Sequence, residues 1–334
     1  MATQTLLPVR SLRGAPEYPA VQDHFGFDPQ RISRDQADAH FLTSGADGAV
    51  AARCSVWADS LPDLDGQKTG AIGHFAATNS LAAISVLRAA RNELKRLGCK
   101  TVVGPIDGTT WRPYRLVTRA GQLPPFFLEP ENPATWPKYF EAAGFAPIAR
   151  YVSEINEDIA SNRPGTGSLR AQFAQRGISI RALNPDAAEQ ALNEIYDIAV
   201  ASFQEAFLYT PLEREAFLSI YRSLLPRVSP ELVLIARHAE RPVGFVFAIP
   251  DWRQAQDANS IDTIVIKTVA ILPQPAYRGL GRVLIDSLLD NAQELGYRRA
   301  ISALMHVANR SQKISADCAG PMREYTLYGM EIER

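Results

Sequence analysis

One series of elements occurs twice along this chain, and it constrains the fold more than any single motif. A hairpin, a further strand, an amphipathic helix closed by glycine and another strand run from residue 40 to 106, and the series recurs about 200 residues later. In the first copy, HFLTSG through AVAARCSVWA (40–58) reads as the hairpin and TGAIGHFAAT (69–78) as the strand. The helix from Ser80 to Leu97 sets Ile84, Leu87, Ala90, Leu94 and Leu97 on one face, Gly98 ends it, and KTVVGPI (100–106) follows as a strand. The second copy has a hairpin turning at HAERP within 231–249, a β-branched strand DTIVIKTVAIL (262–272), and a strand in RRAISALMHV (298–307). Its helix gathers Leu284, Ile285, Leu288, Leu289, Ala292 and Leu295 against Asp286, Asp290, Asn291 and Glu294, and Gly296 stops it.

Other elements complete the second half. ISIRAL (178–183) alternates like a strand, a helix runs from Asp186 to about Phe203, and a second, LEREAFLSIYRSLL (212–225), starts behind Thr210-Pro211. A short polar helical stretch and a final strand, REYTLYGMEI (323–332), close the chain. The Pro, Gly and Ser of ASNRPGTGSLRAQ (160–172) mark a linker, which we place at 161–175 between a first lobe, 1–160 with residues 1–39 irregular, and a second lobe, 176–334.

With 334 residues, 46% hydrophobic and 21% charged, the chain has the profile of a soluble globular protein of two ordinary lobes. A formal net charge of -1 gives no footprint for nucleic acid. No apolar run is long enough for a membrane span and no signal sequence is evident, so we expect a cytoplasmic protein without membrane contact. Cys54, Cys99 and Cys318 are too scattered for a disulfide framework, and the five histidines form no ligand pair, so no metal is expected. Oligomeric state is not legible.

Between the 262–272 strand and its helix stands YRGLG. Amides at a helix start are unpaired and the dipole there favours negative charge. Gly279 and Gly281 let an anion approach the main chain, and Arg278 and Arg282 add positive charge. Alone, RGLG is equally well explained as a strand-to-helix turn; its position heading an amphipathic helix favours a phosphate site. The first copy has only TNS here, with Asn79 or Ser80 as cap, so any such site belongs to the second copy.

This order of elements, with Arg278-Gly279-Leu280-Gly281 between strand and helix, resembles the GCN5-related N-acetyltransferases (GNAT), whose loop reads Arg or Gln, two residues, Gly, one residue, then Gly or Ala. The resemblance covers 176–334, and the echo over 40–157 makes the chain similar to a tandem member with a degenerate first lobe. It implies an α/β (α+β) fold of two GNAT-like lobes, each a mixed, mostly antiparallel twisted sheet flanked by helices. It also implies acetyl-CoA, or another acyl-CoA, as co-substrate. Arg278, Gly279, Leu280, Gly281, Arg282 and Val283 would then hold the pyrophosphate, and Val269, Ala270, Ile271 and Leu272 would lie along the pantetheine arm. An amide there, taken as that of Ile271, would polarise the thioester carbonyl. Asn309 and Ser311 would touch CoA or simply cap a helix. The chain departs from the pattern in three ways: Val283 replaces the final small residue, QPA (274–276) lengthens the passage into the loop, and Ser315 or Ala316 fills the usual slot of a tyrosine general acid. Tyr325 and Tyr328, on the final strand, are the nearest tyrosines.

Further candidates remain. Asp251, in IPDW, is a base or a solvated turn carboxylate, and Glu205 a substrate contact or a solvent-facing residue. His306 is a cleft residue or a buried, satisfied histidine. From the first lobe, Trp111, Tyr114, Arg112 and Arg115 either roof the acceptor pocket or serve their own lobe, and PPFFLEP (124–130) is a candidate interlobe contact. The expected activity is direct transfer of an acetyl group to a small-molecule primary amine, since no cysteine stands in a nucleophile context. A CoA-binding pseudoenzyme or sensor is the rival reading. A tRNA-dependent aminoacyl transferase of tandem lobes is less favoured because the chain lacks a basic surplus.

Overall fold

The protein, as a computed structural model, is described over residues 6–19, 23–163, 165–257, 260–308 and 318–332. The first half runs β1 (Arg10–Leu12), α1 (Gln30–Arg34), β2 (Ala39–Ser44), β3 (Val50–Trp57), β4 (Thr69–Ala77), α2 (Ser80–Arg96), β5 (Thr101–Gly104), β6 (Leu116–Arg119), α3 (Trp136–Ala142) and β7 (Ala146–Asn156). The second runs α4 (Gly167–Gln175), β8 (Ile178–Ala182), α5 (Ala188–Phe203), α6 (Arg214–Leu224), β9 (Val233–His238), β10 (Arg241–Pro250), α7 (Gln254–Asp257), β11 (Thr263–Ile271), α8 (Leu280–Glu294), β12 (Arg299–His306) and β13 (Gly320–Glu331).

The two copies follow from the same local chemistry. Asn79 caps α2 by accepting from the Ala82 amide at 2.9 Å, and the helix buries Val86, Leu87, Ala90 and Leu94. α8 buries Leu284, Ile285, Leu288, Leu289 and Ala292, each large aliphatic group worth roughly 1.5–3 kcal/mol on leaving water. Beyond both helices the chain turns through left-handed glycines, Gly98 at φ 87° and Gly296 at φ 91°. Ala239 and Glu240, at φ 47° and 64°, form the tight turn joining β9 to β10.

All described strands belong to one mixed, mostly antiparallel sheet, ordered β1-β2-β3-β4-β5-β13-β7-β12-β11-β10-β9-β8, with β6 also on β13. Its centre departs from two self-contained sheets. β7, from the first half, pairs with β12 (Ile155 opposite Ile301), while β13 pairs with β5 (Gly329 opposite Val103). β7 and β13 then pair with each other from Gly320↔Ile155 to Gly329↔Ala146. Each lobe therefore contributes its last strand to the other, and a division at 160/176 cuts the sequence but not the sheet. Residues 161–175, read as a linker, carry α4, which Arg163 and Arg170 tie to Asp286 and Asp290 of α8. Residues 1–39, read as irregular, hold β1 and α1. Trp57, Val103, Ile106, Tyr151, Tyr325 and Leu327 form a core where the lobes meet.

Both lobes contain a parallel pair that opens part-way. β4 and β5 pair from Thr69↔Thr101 to Ala71↔Val103, and β11 and β12 from Thr263↔Arg299 to Ile266↔Ser302. In each lobe the strand before the opening carries a bulge against its hairpin partner.

Candidate active site

The first lobe fills its own opening. The Ile106 amide donates to Ile72 O at 2.8 Å and the His74 amide to Asp107 Oδ1 at 2.6 Å, so residues 105–108 occupy the space beside β4. A Cβ on Gly73 would stand 2.3 Å from Ile106 O. In the second lobe the corresponding space is a cavity of about 710 Å³. Residues of both lobes line it. Trp111, Tyr114, Arg115, Glu129 and Tyr151 come from the first half, and Phe207, Tyr209, Tyr221, Lys267, Val269 and His306 from the second.

First-lobe residues enter the cavity because they are pinned across the junction. Trp111 donates its indole N–H to Thr210 O at 2.9 Å and packs edge-on against Phe217. The Arg115 guanidinium lies 3.6 Å from the Tyr114 ring centroid and 4.1 Å from that of Tyr151, and donates to Leu304 O at 3.1 Å. Ser153 accepts from the Leu304 amide at 3.0 Å, so β12 is held at its kink by two first-lobe side chains. His306 sits edge-on to Tyr151 with centroids 5.0 Å apart. Burial lowers its pKa, and the Arg115 charge adds to the effect.

Lys267 is the extra residue of the β10–β11 bulge, because Phe247 faces Thr268 and Ala248 faces Ile266. Burial, assisted by the Arg115 charge, pushes its pKa down to about 8. No ion pair or hydrogen bond to Lys267 exists among the described residues. The sequence signal for it is a lone charge inside the apolar run TIVIKTVAI.

The expected coenzyme residues divide. Gly279 opens α8 at φ 93°, a left-handed conformation that strains any other residue, and a Cβ there would also press on Leu169 Cδ2 at 3.1 Å. Arg278 and Gly279 are exposed, while Leu280 and Gly281 are buried in the first turn. Val283 is buried in the second-lobe core and so does not crowd the loop. Pro275–Tyr277, part of the longer passage, makes a 3-10 turn that buries Tyr277, whose hydroxyl lies 3.1 Å from His238 Nδ1.

On β11, the Leu272 amide donates to Val243 O at 2.9 Å and so points toward the hairpin. Ile271 N and O face the other way and are bonded to Ser202 Oγ at 3.3 and 3.0 Å. By strand alternation Ala270 faces with Leu272, and Val269 with Ile271. The Ile271 amide, expected to polarise a carbonyl, is thus taken by Ser202, and Val269 is the neighbour whose backbone turns to the opening. A glycine-headed helix at the end of a strand that parts from its neighbour fits an extended acyl-CoA. Arg278–Arg282 would hold the diphosphate, and Val269 would lie beside the thioester.

Other expectations need correction. Tyr325 is fully buried; its hydroxyl donates to Glu129 and lies 3.0 Å from Ser153 Oγ, so it is committed within the junction. Tyr328 packs on Phe140 in the first-lobe core, reaches Glu141 at 3.4 Å, and is pushed up to about 12 by burial; it does not line the cavity. Glu205 is exposed and does not line the cavity either. Asp251 is buried and accepts from the amides of Phe127 at 2.8 Å and Arg253 at 3.3 Å, which makes it the anchor of the 124–130 segment. Asn309 and Ser311, with the polar helical stretch, lie outside the described residues.

Residues 192–315 match the model of the acetyltransferase (GNAT) family. Over 92% of its length the chain is similar to a GCN5-related glucosamine N-acetyltransferase region in a fungal multi-domain GH3 β-N-acetylglucosaminidase, at TM-score 0.55 and 12% identity; the match spans 36% of that longer chain. It is also similar, over 92% of its length and 83% of the other's, to a GCN5-related N-acetyltransferase from Sphaerobacter thermophilus, at TM-score 0.53 and 15% identity. No curated protein matches the chain. At these identities the structural likeness is one of fold. Residues 192–315 thus carry the pattern of the acetyltransferase (GNAT) family, within a chain whose two lobes are joined by one sheet.

Proposed function

We propose that the protein is an acyl-CoA-dependent N-acyltransferase that moves an acetyl group onto the primary amine of a small molecule held in the interlobe cavity. The observation that carries this reading is the contrast between the two openings: the first lobe's is filled by residues 105–108, while the second's is a lined cavity beside a glycine-headed helix. Acyl-CoA supplies an activated carbonyl: a C–N bond forms to the amine as the C–S bond breaks, and CoA leaves as thiolate.

The chain's own residues do the rest. The first turn of α8 sets a diphosphate at the positive end of the helix dipole, with Arg278 beside it. The Val269 amide would meet the charge that develops on the carbonyl oxygen. The aromatic walls exclude water, and the nearby cationic side chains favour the neutral form of an amine, the form that attacks. The amine's proton leaves through the cavity mouth to solvent.

Calorimetry with acetyl-CoA and a thiol-release assay across an amine panel test the proposal. Binding with amine-dependent CoA release supports it; no binding at high micromolar ligand sinks it. Binding without release from any amine would instead favour the pseudoenzyme reading, which the commitment of both Tyr325 and Tyr328 elsewhere keeps in view.

A further inference from the structure

The charges around the cavity do not balance. Lys267 projects from the β11 bulge into the cavity wall with no carboxylate or hydrogen-bond acceptor among the described residues. Arg115, only 7% exposed, lies between two tyrosine rings and donates to a carbonyl, so its charge too meets no carboxylate there. One lining residue, Glu129, is acidic, and it is already engaged. The Arg323 guanidinium pairs with it at 2.7 Å, and the Tyr325 hydroxyl donates to it. Two cations in a half-open, aromatic-walled cavity without a counter-charge are costly to maintain, and the cost falls when an anion enters.

We infer that the cavity is built for a ligand that carries a carboxylate, received by the Lys267 ammonium in the field of Arg115. The depressed pKa of Lys267 agrees, since it reports a cation that lacks its partner. A diphosphate is the lesser fit here, because one ammonium offers few donors and the α8 start already presents several. Within the transfer reading on which this inference rests, the carboxylate has two possible sources. It belongs to the acceptor, as in an amino acid, or to the acyl chain, as in a dicarboxylic monothioester. In either case it anchors the end of the reactant remote from the reacting bond and fixes its orientation.

Kinetics on the full chain distinguish these sources. In one arm acetyl-CoA is held constant and matched acceptors are compared, such as γ-aminobutyrate against butylamine and glycine against glycinamide. In the other, succinyl-CoA is compared with acetyl-CoA on an uncharged amine. The carboxylated member should win one arm by about ten-fold or more in kcat/KM, the scale of a hydrogen bond to a charged group. Lys267→Met should bring that ratio toward one, while Lys267→Arg retains it. Glutarate, titrated calorimetrically without any coenzyme, should bind the wild type and not Lys267→Met. Turnover with no carboxylate preference in either arm overturns the inference and leaves the transferase reading standing. Glutarate binding without acetyl-CoA binding does the reverse. Silence toward glutarate and no preference in either arm refutes the carboxylate site without recourse to any variant.

Discussion

The His74 amide donates to the Asp107 carboxylate at 2.6 Å, and that bond closes in the first lobe the space that the second lobe keeps open. His74, at φ 47°, lies in the β3–β4 bulge as Lys267 lies in the β10–β11 bulge. In one lobe the bulge is used to bind the chain to itself, in the other to aim a cation at a cavity. Gly73 makes the closure possible, because a methyl group there would meet Ile106 O at 2.3 Å. Gly73→Ala should therefore cost on the order of 3 kcal/mol, an overpacking penalty against backbone that cannot step aside. A urea midpoint equal to wild type would show that the first lobe is not sealed in this way.

Exchange of the final strands has a thermodynamic consequence. Removing residues 164–334 would strip β13 from β5 and β6, and removing 1–163 would strip β7 from β12. Each half would then expose unpaired edges beside its core. The full chain should unfold in one transition by circular dichroism and calorimetry, and neither half should fold when expressed alone. Two separated transitions would mean the lobes are energetically independent despite the shared sheet.

Both hairpins, α2, α8 and the strands around them were legible because each carries its own periodicity, cap and stop within a few residues. The exchange was not, since ISAL in β12 and ARYV in β7 are β-rich segments whose partners are set by tertiary geometry rather than by pattern. The same limit governs the candidate site. Trp111, Tyr114, Arg115 and His306 stood out by residue type and do meet at the cavity. Tyr325 and Tyr328 also stood out by type, but the alternation of β13 buries both, one at the junction and one in the first-lobe core. Lys267 was hidden because a bulge, invisible in sequence, decides which way it points. Ser202, on α5, gave no signal that it would bond Ile271.

Gly279 is required by its φ of 93°, and the Leu169 tip would have to give way slightly to any side chain there. Gly279→Ala should hold the chain in a strained left-handed turn at a cost of about 1–2 kcal/mol and displace the α8 start. Acetyl-CoA affinity should fall by about ten-fold, equivalent to 1.4 kcal/mol, while the circular dichroism spectrum is retained. Unchanged affinity would remove the loop from coenzyme binding.

Tyr325 tests position against chemistry. Its hydroxyl is one of the groups that compensate the buried Glu129 carboxyl, whose pKa burial raises. Tyr325→Phe should destabilise the protein by about 2 kcal/mol, the cost of leaving a buried acceptor short of a donor. The pH profile of kcat should keep its shape, since the hydroxyl serves the junction. Loss of one limb of that profile would return Tyr325 to the role of general acid.

A buried relay in the first lobe sets the response to acid. His40 Nδ1 lies 2.7 Å from Ser55 Oγ, Ser55 Oγ 2.9 Å from His74 Nδ1, and His74 Nε2 3.0 Å from Asp35. Burial, with the Arg53 and His74 charges adding to it, pushes His40 down to about 3, and burial lowers His74 as well. Because the folded pKa of His40 lies below the ordinary value near 6.5, the unfolded chain takes up the proton first as pH falls. The stability associated with a neutral His40 is thus complete above about pH 6.5 and drains away between there and about pH 3, with about 2 kcal/mol gone by pH 5. Other groups titrate over the same range, so the informative comparison is with His40→Asn, which should be less stable than wild type at pH 7.5. By pH 5 the gap in urea-derived stability should narrow by about that 2 kcal/mol. A gap that stays constant between the two pH values would mean that His40 takes up its proton with the same pKa in the folded and unfolded protein, and that burial does not hold the relay neutral.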